Sequence, residues 1–220
     1  MKLRHSKKLA CITIGVLASC LVPTNASTVN NPRVILQTTL GQIEITLLPD
    51  RAPLTVDHFL GLVQQGHYDG LIFHRVIENF MIQGGGYTPA LEYRDSGKSV
   101  KNESDNGLSN LRGTIAMARN SDPDSASAQF YINVKDNGHL NSREGAVGYT
   151  VFGFVTQGMQ VVESIALIDT HTKQGMPAVP IVPLATPPRP SRPTGRNHCT
   201  ETGAMHGVQH SCPRGNWASS

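Results

Sequence analysis

Phe73-His74-Arg75-Val76-Ile77-Glu78-Asn79-Phe80-Met81-Ile82-Gln83-Gly84-Gly85 sets a single guanidinium among bulky apolar side chains. In an extended chain successive side chains alternate between faces, so Phe73, Arg75 and Ile77 share one face. Met81 and Gln83 share a face beyond a turn at Glu78-Asn79. By periodicity alone this is a core strand with one exposed arginine, and its neighbours decide whether it is more.

On its N-terminal side, Val34, Leu36 and Thr38 alternate, as do Ile43, Ile45 and Leu47, with Gly41 between them, which predicts a β-hairpin. Ala52-Pro53-Leu54-Thr55 then opens a helix, with Pro in the first turn where its missing N–H costs least. Val56, Phe59, Leu60 and Val63 give that helix its apolar face, and Gly66 stops it. On the C-terminal side, Gly113–Ala118, Ala128–Val134 and Tyr149–Val155 are further strands. Met159–Ile168 is a second helix, and Val179–Leu184 begins one more strand. Glu92–Leu111 is polar and rich in Gly, Asn and Ser, so it reads as a long surface loop. Many strands with two helices predict a closed or nearly closed antiparallel sheet with helical ends.

The two ends differ from this middle. Of the 220 residues, 1–26 carry Lys2, Arg4, Lys7 and Lys8 and no acid, a charge of +4. An apolar run from Leu9 to Val22 follows, too short to span a bilayer comfortably, and Thr24-Asn25-Ala26 offers a cleavage point, so 1–26 reads as an export signal. Leu17-Ala18-Ser19-Cys20 also resembles a lipoprotein processing box, which would anchor the chain to a membrane through Cys20. Cys11 and Cys20 fall in the signal and Cys199 and Cys212 in the tail, so 27–184 has no cysteine, which is compatible with an oxidising compartment.

From Ala185 the composition turns to Pro, Arg and small polar residues, and 185–220 reads as a disordered tail that cannot bury enough surface to offset its ordering entropy. His198, Cys199, His206, His210 and Cys212 lie in this tail without the Cys-x₂-Cys spacing of a zinc site. The switch falls inside a strand, so a reading-frame shift near codon 185 is the leading explanation and an evolved tail the other. Four Arg against Glu201 give 185–220 a charge of +3, and the total of +3 then leaves −4 for 27–184. That sign disfavours a nucleic-acid-binding core.

The middle carries no nucleophile elbow, no phosphate loop and no His pair at helical spacing. Gly84-Gly85-Gly86 marks tight backbone packing or a turn, and Asp122 and Asp124 are turn formers. No metal or cofactor is expected.

The stretch 73–85 resembles the signature of the cyclophilins, the peptidyl-prolyl cis-trans isomerases. Three further blocks are similar in order and spacing: Gly113-Thr-Ile-Ala-Met-Ala118-Arg119, Ser125-Ala-Ser-Ala-Gln129-Phe130-Tyr131-Ile132 and Val151-Phe152-Gly153-Phe154-Val155. The likeness covers roughly 32–184 and is nearest the bacterial periplasmic branch. It implies a mainly β fold: a closed eight-stranded antiparallel barrel capped by two helices, with the last strand left incomplete here. The isomerase domain would occupy 27–184.

The same likeness implies the site. Arg75 matches the catalytic arginine, and Phe80, Met81 and Tyr131 match the pocket for the proline ring. Gln83, Ala118, Gln129 and Leu140 match groove residues. The substrate-binding set also takes in three departures: Arg119 where many relatives have Asn, His139 in place of a Trp, and Tyr149 in place of a His. Tyr131 itself stands for the more usual Phe. The implied partners are proline-containing unfolded or extended polypeptides, met by a monomer in the periplasm.

The chemistry suits these residue types. Rotation about a prolyl bond must break amide resonance against a barrier of about 20 kcal/mol, and no bond is made or cut. A guanidinium that favours the twisted nitrogen or the proline carbonyl over either planar isomer is catalytic by differential stabilisation. Arginine stays charged and presents a rigid fork of donors. His74, one residue away, is expected to be a packed histidine. A peptide-binding scaffold with little turnover is the competing function, but a pure binder needs no cation at the ring.

Overall fold

The computed structural model describes residues 31–180 and the backbone of 189–190. The segment 1–26 that reads as an export signal, Cys20 within it, residues 181–188 and the residues beyond Pro190 lie outside the described residues. The first hairpin is as expected: β1 (Arg33–Thr38) pairs antiparallel with β2 (Gly41–Leu47). Gly41 has a φ of +135°, and a Cβ there would come within 2.9 Å of Val161. Val34, Leu36, Ile43, Ile45 and Leu47 face inward and are buried.

Helix α1 (Pro53–Gln64) buries Thr55, Val56, Phe59, Leu62 and Val63. Phe59 sits against Tyr68, Phe130 and Phe152 with ring centroids 5.2, 5.7 and 5.2 Å away. Its N-cap, Ala52, offers no side chain. Glu103, from the long polar loop, takes that role: its carboxylate accepts from Leu54 N, Thr55 N and Thr55 Oγ1 at 3.1, 2.8 and 2.7 Å. Helix α2 (Met159–Ala166) buries Val161, Val162, Ile165 and Ala166 in the same core.

Five more strands complete most of the sheet: β3 (Phe73–Ile77), β4 (Met81–Gly84), β5 (Thr114–Met117), β6 (Phe130–Asn133) and β7 (Val151–Gln157). A two-residue strand, β10 (Arg189–Pro190), follows the hairpin β8 (Thr170–Lys173) and β9 (Met176–Pro180). The order across the main sheet is β10-β1-β2-β7-β5-β6-β4-β3, antiparallel throughout.

The fold is mainly β with two helices, but the closed eight-stranded barrel is not what forms. The sheet curls and stays open, because β10 and β3 are its two ends and do not pair. Apart from β10, which touches β1 only at Val34 and Ile35, it has seven strands. Of the strand expected over Val179–Leu184, residues 181–184 lie outside the described residues; Val179 and Pro180 belong to β9, which pairs with β8. β9 lies alongside β3 without laddering to it. Pro177 and Pro180 have no N–H to give, and Ala178 has a φ of +60°, so β9 cannot present a continuous extended edge. β8 has no counterpart in the sequence reading because all four of its residues are exposed and carry no apolar alternation.

A second correction concerns β3. The β3–β4 register slips between Phe73 and Arg75. The bulge sends Phe73 into the main core with Val76 and Ile82, while Arg75 pairs with Gln83 and Ile77 with Met81 on the other face. Phe73 and Arg75 therefore do not share a face.

Candidate active site

The face of the sheet away from the main core holds a second apolar cluster. Met81, Ala116, Tyr131 and Val151 are buried in it, with Ile77, Phe80, Leu108, Ala118, Leu140 and Tyr149 packed around them. It arises because β4, β5, β6 and β7 are neighbours. Register then sets Gln83 opposite Tyr131 and Ala116 opposite both Tyr131 and Val151.

A cleft of about 160 Å³ opens on this cluster, lined by Arg75, Phe80, Met81, Gln83, Ala118, Arg119, Tyr131, Leu140 and Tyr149. The Arg75 guanidinium lies at its edge, with Nη1 3.5 Å from Gln83 Oε1 and 4.0 Å from Met81 Sδ. Gln83 Nε2 in turn donates to Gln129 Oε1 at 2.9 Å. Gln129 hydrogen-bonds the buried His74, whose ring packs 4.6 Å from Tyr87. Burial drives the His74 pKa down to about 4, so the ring is neutral at ordinary pH and serves as packing behind Gln129.

Nine of the eleven residues expected at the site from the sequence thus line one cleft. Gln129 does not; it lines an adjoining cavity of about 320 Å³ with Gln83, Tyr87, Tyr93, Ala118, Arg119, Asn120, Ser125 and Ser127. His139 does not line either one. It stacks on Phe80 with centroids 5.7 Å apart and ring planes 22° from parallel, supporting the pocket wall from outside. Gly86 lets Gln129 lie close, since a Cβ there would meet Gln129 Cγ at 2.7 Å.

Sequence reading missed the polar base beneath the cleft. The Tyr131 hydroxyl donates to Asn110 Oδ1 at 2.7 Å, and Asn133 Nδ2 donates to the same oxygen at 3.2 Å. Asn137 Nδ2 donates to Asn133 Oδ1 and to Phe80 O at 2.8 and 2.9 Å. Asn141 Oδ1 accepts from Asn110 N and Nδ2 at 2.7 and 3.0 Å. Four asparagines from a loop, a strand and a 3₁₀ turn thereby hold two walls of the pocket. The one sequence signal was Asn133, a polar residue between Ile132 and Val134 in an otherwise apolar strand.

Arg119 binds backbone. Its Nη2 donates to Val147 O at 2.6 Å, Nε to Gly148 O at 3.3 Å, and Nη1 to Asn120 O and Ser121 O at 2.8 and 3.5 Å. Its guanidinium carbon lies 4.7 Å from the centroid of Tyr149, which meets Tyr131 edge to face at 5.9 Å. Among the described residues no group of three His, Cys, Asp or Glu is placed to hold a metal ion.

A curled antiparallel sheet thus carries an apolar cleft with two arginines, Arg75 and Arg119, in its lining. Residues 33–185 match the family described as cyclophilin type peptidyl-prolyl cis-trans isomerase. A peptidyl-prolyl cis-trans isomerase of Acinetobacter baylyi is 45% identical over 178 residues, 80% of this chain and 92% of that one. The isomerase A of Dickeya dadantii is 44% identical over 181 residues, 80% of this chain and 95% of that one. The fold is similar to that of a cyclophilin-type isomerase of Cryptosporidium parvum, with a TM-score of 0.61 at 22% identity over 74% of this chain and 98% of the other. The chain belongs to the cyclophilin-type peptidyl-prolyl cis-trans isomerases.

Proposed function

We propose that this enzyme accelerates rotation about Xaa-Pro bonds in exported proteins as they fold, as a monomer and without a cofactor. The observation that carries this is the Arg75 guanidinium beside a cleft walled by Phe80, Met81 and Tyr131. The proline ring packs on those three side chains. Met81 adapts to the ring as it swings. Arg75 donates to the proline carbonyl or to the nitrogen as it becomes pyramidal, and Gln83 holds the guanidinium toward the cleft. Neither planar isomer presents that lone pair, so the interaction favours the twisted state over both ground states.

The exported setting is supported by the basic and apolar segment 1–26 and the absence of cysteine from 27–184. A lipid anchor at Cys20 is the alternative mode of retention. One solved relative was crystallised in the presence of the dipeptide Ala-Pro, which fits a proline-containing substrate here. A protease-coupled assay on an Ala-Pro tetrapeptide tests the activity, and no acceleration by a correctly folded sample would end the proposal. Mass spectrometry of the mature chain tests the setting: a first residue at Ser27 supports soluble export, and a lipidated Cys20 supports the anchor. An intact N-terminus at Met1 in a bacterial host removes export from the reading.

A further inference from the structure

The proline cleft and the adjoining cavity share Gln83, Ala118 and Arg119, so they form one groove with two compartments. Their linings contain two charged side chains, Arg75 and Arg119, and no Asp, Glu or Lys. The surrounding domain has the opposite sign, with −4 over residues 27–184. Both arginines also keep their charge unneutralised within the described residues. Arg75 has Gln83 and Met81 as partners, and Arg119 has four backbone carbonyls and the Tyr149 ring. Asp122 and Asp124, beyond Asn120, line neither compartment and make no ion pair with Arg119; Asp124 Oδ1 accepts from Asn102 N and Asp122 Oδ1 from Asp124 N, at 2.8 and 3.0 Å.

A groove with two fixed positive charges in an acidic domain is complementary to a negative ligand. We propose that the enzyme selects acidic polypeptide segments, with Arg119 as the specificity-determining residue that favours Asp or Glu within two positions of the proline. This rests on the isomerase reading of the same groove. With proline in the smaller compartment, an extended chain advances about 3.3 Å per residue, so one or two residues carry it into the larger one. There Arg119 meets it between Asn120 and Ser127, whose side-chain N–H and O–H groups can donate to a carboxylate. Anchored by Val147 and Gly148, the guanidinium is preorganised, and little side-chain freedom remains to be lost on binding.

The test compares blocked tetrapeptides containing Ala-Pro in which one position, up to two residues either side of the proline, is Glu, Ala or Lys. Isomerisation is followed by NMR exchange, which involves no coupling protease. In low salt the order Glu > Ala > Lys is expected at one position at least, with kcat/KM differing roughly tenfold between Glu and Lys. Raising salt to 0.5 M, where the Debye length is only a few Å, should bring that ratio close to one. Arg119→Gln should cut the low-salt ratio, and Arg119→Lys should retain more of it than Arg119→Gln. A Glu-to-Lys ratio within twofold at every position, with the all-Ala peptide still turned over, overturns the inference and leaves the isomerase intact. A ratio that Arg119→Gln does not change removes Arg119 from the role. Failure to turn over any of the peptides removes the isomerase reading and the inference together.

Discussion

The Tyr131 hydroxyl and Asn110 Oδ1 lie 2.7 Å apart in the interior, and through that bond a wall of the cleft beside Arg75 is fixed to a loop 21 residues away in sequence. Asn110 is fully buried and also meets Asn133 and Asn141. Burial pushes the Tyr131 phenol pKa up, so the hydroxyl remains a donor throughout the working range. Asn110→Ala leaves several buried polar groups without partners and should cost about 3 kcal/mol. Tyr131→Phe keeps the ring and removes one donor, and should cost about 1 kcal/mol. Urea unfolding of both variants checks the ordering, and equal losses would show that Asn110 is not the hub.

Arg75 is half-buried on β3 and is a member of neither apolar cluster, so Arg75→Ala should fold normally. Removing one preorganised donor typically lowers turnover by ~10²–10³. Gln83→Ala should cost less, since Gln83 acts through the position of Arg75. Circular dichroism with the coupled assay checks both, and Arg75→Ala activity within twofold of the parent would remove the catalytic assignment.

Glu103 caps α1 from 48 or more residues away, adding charge to three hydrogen bonds at a helix N-terminus. Glu103→Gln should lower stability by about 1 kcal/mol and Glu103→Ala by about 2 kcal/mol. Thermal melts check this, and amide exchange of Leu54 and Thr55 should speed up before the rest of the helix.

His74 makes stability depend on pH. Its pKa is about 4 folded against 6.5 unfolded, so between those values the unfolded chain binds more protons. Its contribution is complete above pH 6.5, shrinks as the pH falls, and is gone below about 4. The total is on the order of 3 kcal/mol. His67, also lowered by burial, adds in the same direction. Urea midpoints measured from pH 7 to pH 4 should fall steadily, and His74→Gln should flatten the slope.

At the seam of the sheet, β10 covers β1 with two residues, and Pro190 has no N–H to donate. Replacing residues from Ala185 onward with an alternating Val/Thr strand should extend that pairing. Each kcal/mol gained raises Tm by roughly 2–4 °C at this size. Calorimetry reads the shift, and an unchanged Tm would mean the seam costs nothing.

Much of this protein was legible along the chain, because local pattern and local geometry coincide there. The period-two runs around Gly41, the helix that opens at Pro53 and stops before Gly66, and the turn at Glu78-Asn79 each need only neighbours in sequence to be specified. The stretch from Arg75 to Gln83 likewise carries cation, apolar wall and orienting amide within nine residues, so it was recognisable before any folding. Tertiary structure decided what long-range contacts control. The slip between Phe73 and Arg75 follows from pairing with β4, and it chose which side chain joins the core. Polar residues such as Glu103, Asn110 and Asn137 have no periodic signature, since their worth lies in partners brought near by the fold. Closure, too, was not a local matter. Apolar character at Val179 predicts a strand, but whether that strand ladders to β3 depends on N–H groups and φ values that Pro177, Ala178 and Pro180 do not supply.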